Sequence, residues 1–169
     1  MVVGERLDPA RAQVQTAGMR YYCDTEYDGF GGRLLSIALV PEDGGEEFYA
    51  VIAPAEATGA WVQRHVVPYL FTVPEALKDA PMGREAAARA LAHFLAHDSA
   101  PEIVADWPED LAHVAMLPVI GPGEMVTMPP LTLKLMNLSG FSTAANSAVP
   151  HNALHDARSL RDHVENHLA

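Results

Sequence analysis

Three apolar runs of strand length, residues 21–27, 33–40 and 47–52, are separated only by two short glycine-bearing turns, and this spacing constrains the fold more than any other feature. Asp28-Gly29-Phe30-Gly31-Gly32 and Pro41-Glu42-Asp43-Gly44-Gly45 are too short to carry the crossover that parallel strands need. The three strands therefore return on one another as an antiparallel meander. The turn glycines run into no Gly-Lys-Ser or Gly-Lys-Thr and form no phosphate loop. The first run also holds two acids spaced by one residue. Successive strand side chains alternate between faces, so Asp24 and Glu26 share one face while Cys23, Thr25 and Tyr27 take the other. Like charges so close raise one another's pKa unless a cation or a proton holds them, so the pair reads as half of a metal site whose partners lie elsewhere.

After the meander the signal turns helical. Ala60, Trp61, Val62, His65 and Val66 form a short helical stretch ending near Pro68, and residues 74–81 are a loop. Residues 83–97 are the clearest helix, alanine-rich, with Ala87, Leu91, Phe94 and Leu95 on one face. His93 and His97 lie four apart, but the Glu of a His-Glu-x-x-His motif is missing, and they read as surface histidines. Residues 102–105 then form a short buried strand feeding a helix over 106–117. Asp106 with Glu109 three residues on and Pro108 between them resembles an N-terminal cap. Asp110 falls near the end of that helix's first turn and reads equally as dipole complementation or as a ligand-ready carboxylate.

Residues 117–149 are rich in Pro, Gly, Ser, Thr and Met and read mostly as loop, with one alternating stretch at 131–136. The methionines at 116, 125, 128 and 136 read as packing. In the last stretch, residues 150–164, Asn152 is an N-cap candidate, and Leu154, Ala157, Leu160 and Val164 supply helical periodicity. Asp156 then ends the first turn and His151 sits just outside the helix. A meander followed by strand-helix units is an α/β fold.

At 169 residues and a formal net charge of −11, the chain fits one domain, residues 19–169, behind an extension over 1–18 that reads as poorly ordered. The 11 basic residues against 22 acidic ones argue against tight, non-specific binding of long nucleic acid, which rests on phosphate neutralisation, but do not exclude an enzyme whose divalent cations meet the phosphates of a short substrate. No apolar run approaches the roughly 18 residues of a membrane span, so no membrane partner is expected. A single cysteine, Cys23, and no signal-peptide core point to a reducing, cytoplasmic setting, with Cys23 as a small buried strand residue.

The order Asp24-Thr25-Glu26 on a first strand, Asp110 at a mid-chain strand-helix junction, then His151 with Asp156 five residues on resembles the DEDDh exonucleases of the ribonuclease H-like superfamily. The span Trp61-Val62-x-x-His65-Val66-x-Pro68 is similar to a small bacterial branch of 3′-to-5′ exoribonucleases. At the third acid this chain departs from the family's pattern. Glu109 stands where an aromatic residue is usual and Asp106 where Asn is frequent. Asp110 takes the family's role because Leu111-Ala112-His113-Val114 continues the helix, with Asp106 as the alternative.

The resemblance implies a ribonuclease H-like mixed sheet and a 3′-to-5′ exoribonuclease that acts on single-stranded or short RNA and releases nucleoside 5′-monophosphates. It also implies two divalent cations, Mg²⁺ or Mn²⁺, on Asp24, Glu26, Asp110 and Asp156, with His151 as general base. These residue types suit that chemistry, since two hard cations about 3.5 to 4 Å apart want carboxylate oxygen, and an imidazole is neutral often enough to accept a proton. His155 is a weaker competitor because it lies inside the helix. Tyr27 and Phe30 adjoin the acid pair and could stack on a base, although packing is the commoner role, and Trp107 is ambiguous. A DNA-directed exonuclease and a non-catalytic binding module on the same fold are the other readings. A homodimer is expected for a small enzyme of this kind.

Overall fold

The computed structural model describes residues 18–167. Apart from Gly18, the extension expected over residues 1–18 lies outside the described residues. Strands β1 (Arg20–Tyr27), β2 (Leu34–Pro41) and β3 (Phe48–Val51) pair antiparallel in chain order, as the short turns require. Every residue of β2 is buried. That strand lies between two others and is covered on both faces, which is why its sequence is a continuous apolar run instead of an alternation.

Helices α1 (Ala60–His65) and α2 (Arg84–Leu95) follow, then β4 (Glu102–Ala105) and α3 (Pro108–Met116). Strands β5 (Val119–Gly121) and β6 (Glu124–Met125) make a small separate hairpin. Strand β7 (Thr132–Leu135), the short α4 (Thr143–Asn146) and α5 (Ala153–His167) complete the chain. The main sheet has the order β3-β2-β1-β4-β7, with β4 parallel to β1 and β7 parallel to β4. The fold is thus mixed α/β, an antiparallel meander extended by parallel strand-helix units.

Alternation along the strands separates two apolar layers. Tyr21, Cys23, Ile37 and Leu39 face Leu91 and Leu95 of α2 and Val114 and Leu117 at α3. Leu35, Val40 and Tyr49 face Val62 of α1 and Leu154 and Ala157 of α5, and Tyr22 and Val104 meet Leu160 and Val164 farther along α5. Phe94 is only half-buried, yet it closes the first layer edge-on to Tyr21 at 5.6 Å. Cys23 is buried, as expected.

Two expectations are corrected. Asp106 does not cap α3: the N-cap residue is Trp107, which makes no side-chain capping bond, and Pro108 opens the helix. Proline at the first helical position removes one of the donors a cap would satisfy, so the helix starts without Asp106. Residues 117–149 are also more structured than loop composition implies. Thr132–Leu135 becomes the sheet edge because β4 offers it a hydrogen-bonding partner, although all four side chains stay exposed.

One detail of strand pairing creates the site. β1 pairs with β2 along its whole length but with β4 only over Arg20–Tyr22. Beyond Tyr22 the β4-facing edge of β1 is open, at the carboxyl ends of two parallel strands and at the N-terminal ends of α3 and α5. That is where open α/β sheets present a crevice.

Candidate metal centre

A cleft of about 640 Å³ occupies this crevice, and Asp24, Glu26, Asp106, Asp110 and Asp156 all line it together with His151. Asp24 and Glu26 reach it from the α5-facing side of β1, which the two-residue spacing predicts. Asp110 comes from the first turn of α3 and Asp156 from the first turn of α5. All four site acids are buried, with exposures of 8%, 8%, 3% and 3% in chain order.

Such burial without cationic side chains penalises ionisation. Burial, then Asp110 and Glu26, holds the Asp24 carboxyl well above the usual carboxylate range. Glu26 is pushed up to about 9 by burial and by Asp156 and Asp110. Asp110 rises to about 7, chiefly through burial, with the Thr25 hydroxyl pulling it back. Asp156 rises to about 6 for the same first reason. Burial and mutual repulsion thus raise all four carboxyls, and positive charge brought to the cleft would lower them again.

Asp110 is held by one of its oxygens. Its Oδ1 accepts from the Thr25 backbone N–H at 3.1 Å and from the Thr25 hydroxyl at 2.6 Å. Oδ2 accepts no hydrogen bond among the described residues. Asp106 is half-buried at the cleft wall, with its carboxyl pKa raised by burial. Glu109 accepts from the Gly31 N–H at 2.5 Å and so ties α3 to the β1–β2 turn. It is a structural acid.

His151 and Asp156 form a unit. His151 is the only non-glycine residue with positive φ among the described residues, at 61°. Its N–H donates to Asp156 Oδ2 at 3.2 Å. The opposite oxygen, Oδ1, is buried with no hydrogen-bond partner among the described residues. The Ser147 hydroxyl lies near enough to lower the Asp156 pKa but outside hydrogen-bonding geometry. Candidate ligand atoms of Glu26, His151 and Asp156 all fall within 4.8 Å of one another. An unpartnered buried carboxylate oxygen beside a second acid and an imidazole has the donor chemistry of a divalent-cation site; Asp24 and Asp110 line the same cleft but are not part of that close group.

The other histidines separate cleanly. His155 turns away, its Nε2 against the Thr72 carbonyl at 2.9 Å. His93 and His97 are exposed and join no metal-binding cluster among the described residues. Asn152 caps α5 as expected, its Oδ1 accepting from Leu154 N at 3.1 Å, and this sets the start of the helix carrying Asp156.

Aromatic side chains wall the cleft. Phe30 is 84% exposed and pairs with Trp107 at a centroid distance of 6.0 Å. Trp61 meets His151 edge-on at 4.9 Å and stacks on His65 at 4.8 Å. Tyr27 instead packs on His113 at 5.0 Å. Two roles had no sequence signal. Trp107 comes beside Phe30 only through the fold, and Asp28 reaches thirty residues forward. Its carboxylate accepts from Thr58 N at 2.7 Å and Gly59 N at 2.9 Å, fixing the entry to α1 and thus Trp61.

Compared with protein-family models and with curated proteins, the chain matches none of either.

Proposed function

We propose that this chain is a metal-dependent 3′-to-5′ exoribonuclease of the DEDDh type on a ribonuclease H-like fold, cleaving single-stranded or short RNA to nucleoside 5′-monophosphates. The observation that carries the reading is the convergence of Asp24, Glu26, Asp110 and Asp156 from three elements onto one cleft with His151 bonded to Asp156. Mixed-sheet topology, with the meander first and strand-helix units after it, supports the same reading.

The four acids would hold two Mg²⁺ or Mn²⁺ ions, which when bound neutralise phosphate charge and make water a better nucleophile. His151 accepts the proton of the attacking water. Burial and the neighbouring His65 lower its pKa from the ordinary histidine value, which favours the neutral form able to accept a proton. Asp156 orients it through the backbone bond, and Asn152 fixes the helix start beneath both. Exposed Phe30, Trp107 and Trp61 offer faces on which unpaired bases stack, which favours single strands over duplex. A cytoplasmic setting and a homodimer belong to the same reading, and light scattering tests the second.

The deciding experiment incubates matched 5′-labelled RNA and DNA strands with Mg²⁺, with Mn²⁺ and with chelator. A ladder shortening from the 3′ end on RNA, abolished by chelator, is the expected result. A preference for DNA moves the substrate assignment, and no shortening with either metal removes the nuclease reading in favour of a binding module.

A further inference from the structure

We propose that Thr25, between the two acids of β1, is a positioning residue that decides which oxygen of Asp110 faces the cation. The inference rests on the reading of Asp110 as a metal ligand. Because β1 is unpaired toward β4 beyond Tyr22, the Thr25 N–H projects into a gap that no strand fills. A buried donor left there would be costly, and Asp110 satisfies it.

The backbone bond alone survives any substitution at this position except proline. The hydroxyl bond does not, and at 2.6 Å it is the shorter of the two. Thr25 is 5% exposed and Asp110 3%, so little water competes for either bond. Two donors converging on Oδ1 stop the carboxylate turning about its Cβ–Cγ bond and leave Oδ2 to the cleft. With one donor the carboxylate pivots, and the geometry a divalent ion requires is no longer held. Thr25 thus joins the two faces of β1: its neighbours Asp24 and Glu26 supply acids on one side, and its own side chain holds the third acid on the other.

Valine keeps the β-branched shape and the backbone donor while deleting the hydroxyl, and serine restores the hydroxyl. The test is calorimetric titration of the full chain with Mn²⁺ alone, for wild type, Thr25→Val, Thr25→Ser and Asp24→Asn, alongside turnover as a function of Mn²⁺. Thr25→Val is expected to weaken Mn²⁺ binding by about ten- to a hundredfold, with turnover recovering as Mn²⁺ is raised, while Thr25→Ser binds as wild type does. Wild-type Mn²⁺ binding in Thr25→Val, together with its loss in Asp24→Asn, overturns the role of Thr25 and leaves the metal reading standing. A Thr25→Ser protein as weak as Thr25→Val overturns it as well, since the hydroxyl is then present without effect. Wild-type protein that takes up no Mn²⁺ overturns both.

Discussion

His151 donates its backbone N–H to Asp156 Oδ2 at 3.2 Å from a left-handed backbone at φ 61°, so one tight turn sets both the imidazole and the carboxylate five positions later. An L-residue with a Cβ holds that conformation at a cost of roughly 1–2 kcal/mol, which glycine avoids. His151→Gly should therefore resist urea better than His151→Ala, by about 1 kcal/mol. Both variants, and His151→Gln, should lose about 10²–10⁴ in kcat while binding Mn²⁺ as wild type does. Loss of Mn²⁺ affinity in His151→Gln would make the imidazole a ligand instead of a base.

The Asp24 carboxyl is raised first by burial and then by Asp110, Glu26, Asp156 and Asp106 in turn. Asp24→Asn should abolish turnover and, in chelator, leave the melting temperature unchanged or raise it, because a repelling charge is removed from the metal-free fold. Differential scanning fluorimetry with and without Mn²⁺ reads both halves. Near-normal turnover in this variant takes Asp24 out of the site.

Metal-free stability should fall as pH rises. Glu26, Asp110 and Asp156 stand near 9, 7 and 6 in the fold, against about 4 in the unfolded chain. Between those limits the folded state binds more protons than the unfolded one, so their contribution is complete below about pH 4 and is lost as pH climbs through the folded values. Melting temperatures in chelator should drop from about pH 5 to about pH 9, and Mg²⁺ or Mn²⁺ should remove most of the drop. Parallel curves with and without the cation would contradict the metal centre.

Among the described residues, the cleft lining contains no lysine or arginine. Substrate held by stacking and by cations releases few counterions, so KM should change less than about threefold between roughly 50 and 200 mM KCl. A steep dependence measured by initial rates at fixed Mg²⁺ would instead place a basic strip along the RNA path.

Local chemistry carried much of the site. Asp24 and Glu26 are on one face because strand periodicity is exact at two residues, and their burial follows from that face meeting α5. Asn152 was readable as a cap because a cap acts within its own helix turn. Asp106 was misread for the converse reason: its spacing to Glu109 imitates a cap, but Trp107 and Pro108 open the helix, and Glu109 goes to Gly31.

By itself the sequence determined the meander and the alanine-rich helix, expected over residues 83–97 and found over Arg84–Leu95, since turn length and apolar periodicity are properties of neighbours along the chain; the grouping of the acids with His151 rested on the resemblance, not on local spacing. Only the tertiary structure decided that β1 parts from β4 after Tyr22, that Asp110 enters the gap onto Thr25, that Asp28 anchors α1 and that Trp107 stands beside Phe30. Those contacts join residues about 30 to 85 positions apart, where spacing carries no signal and the outcome depends on how strands, helices and turns pack together.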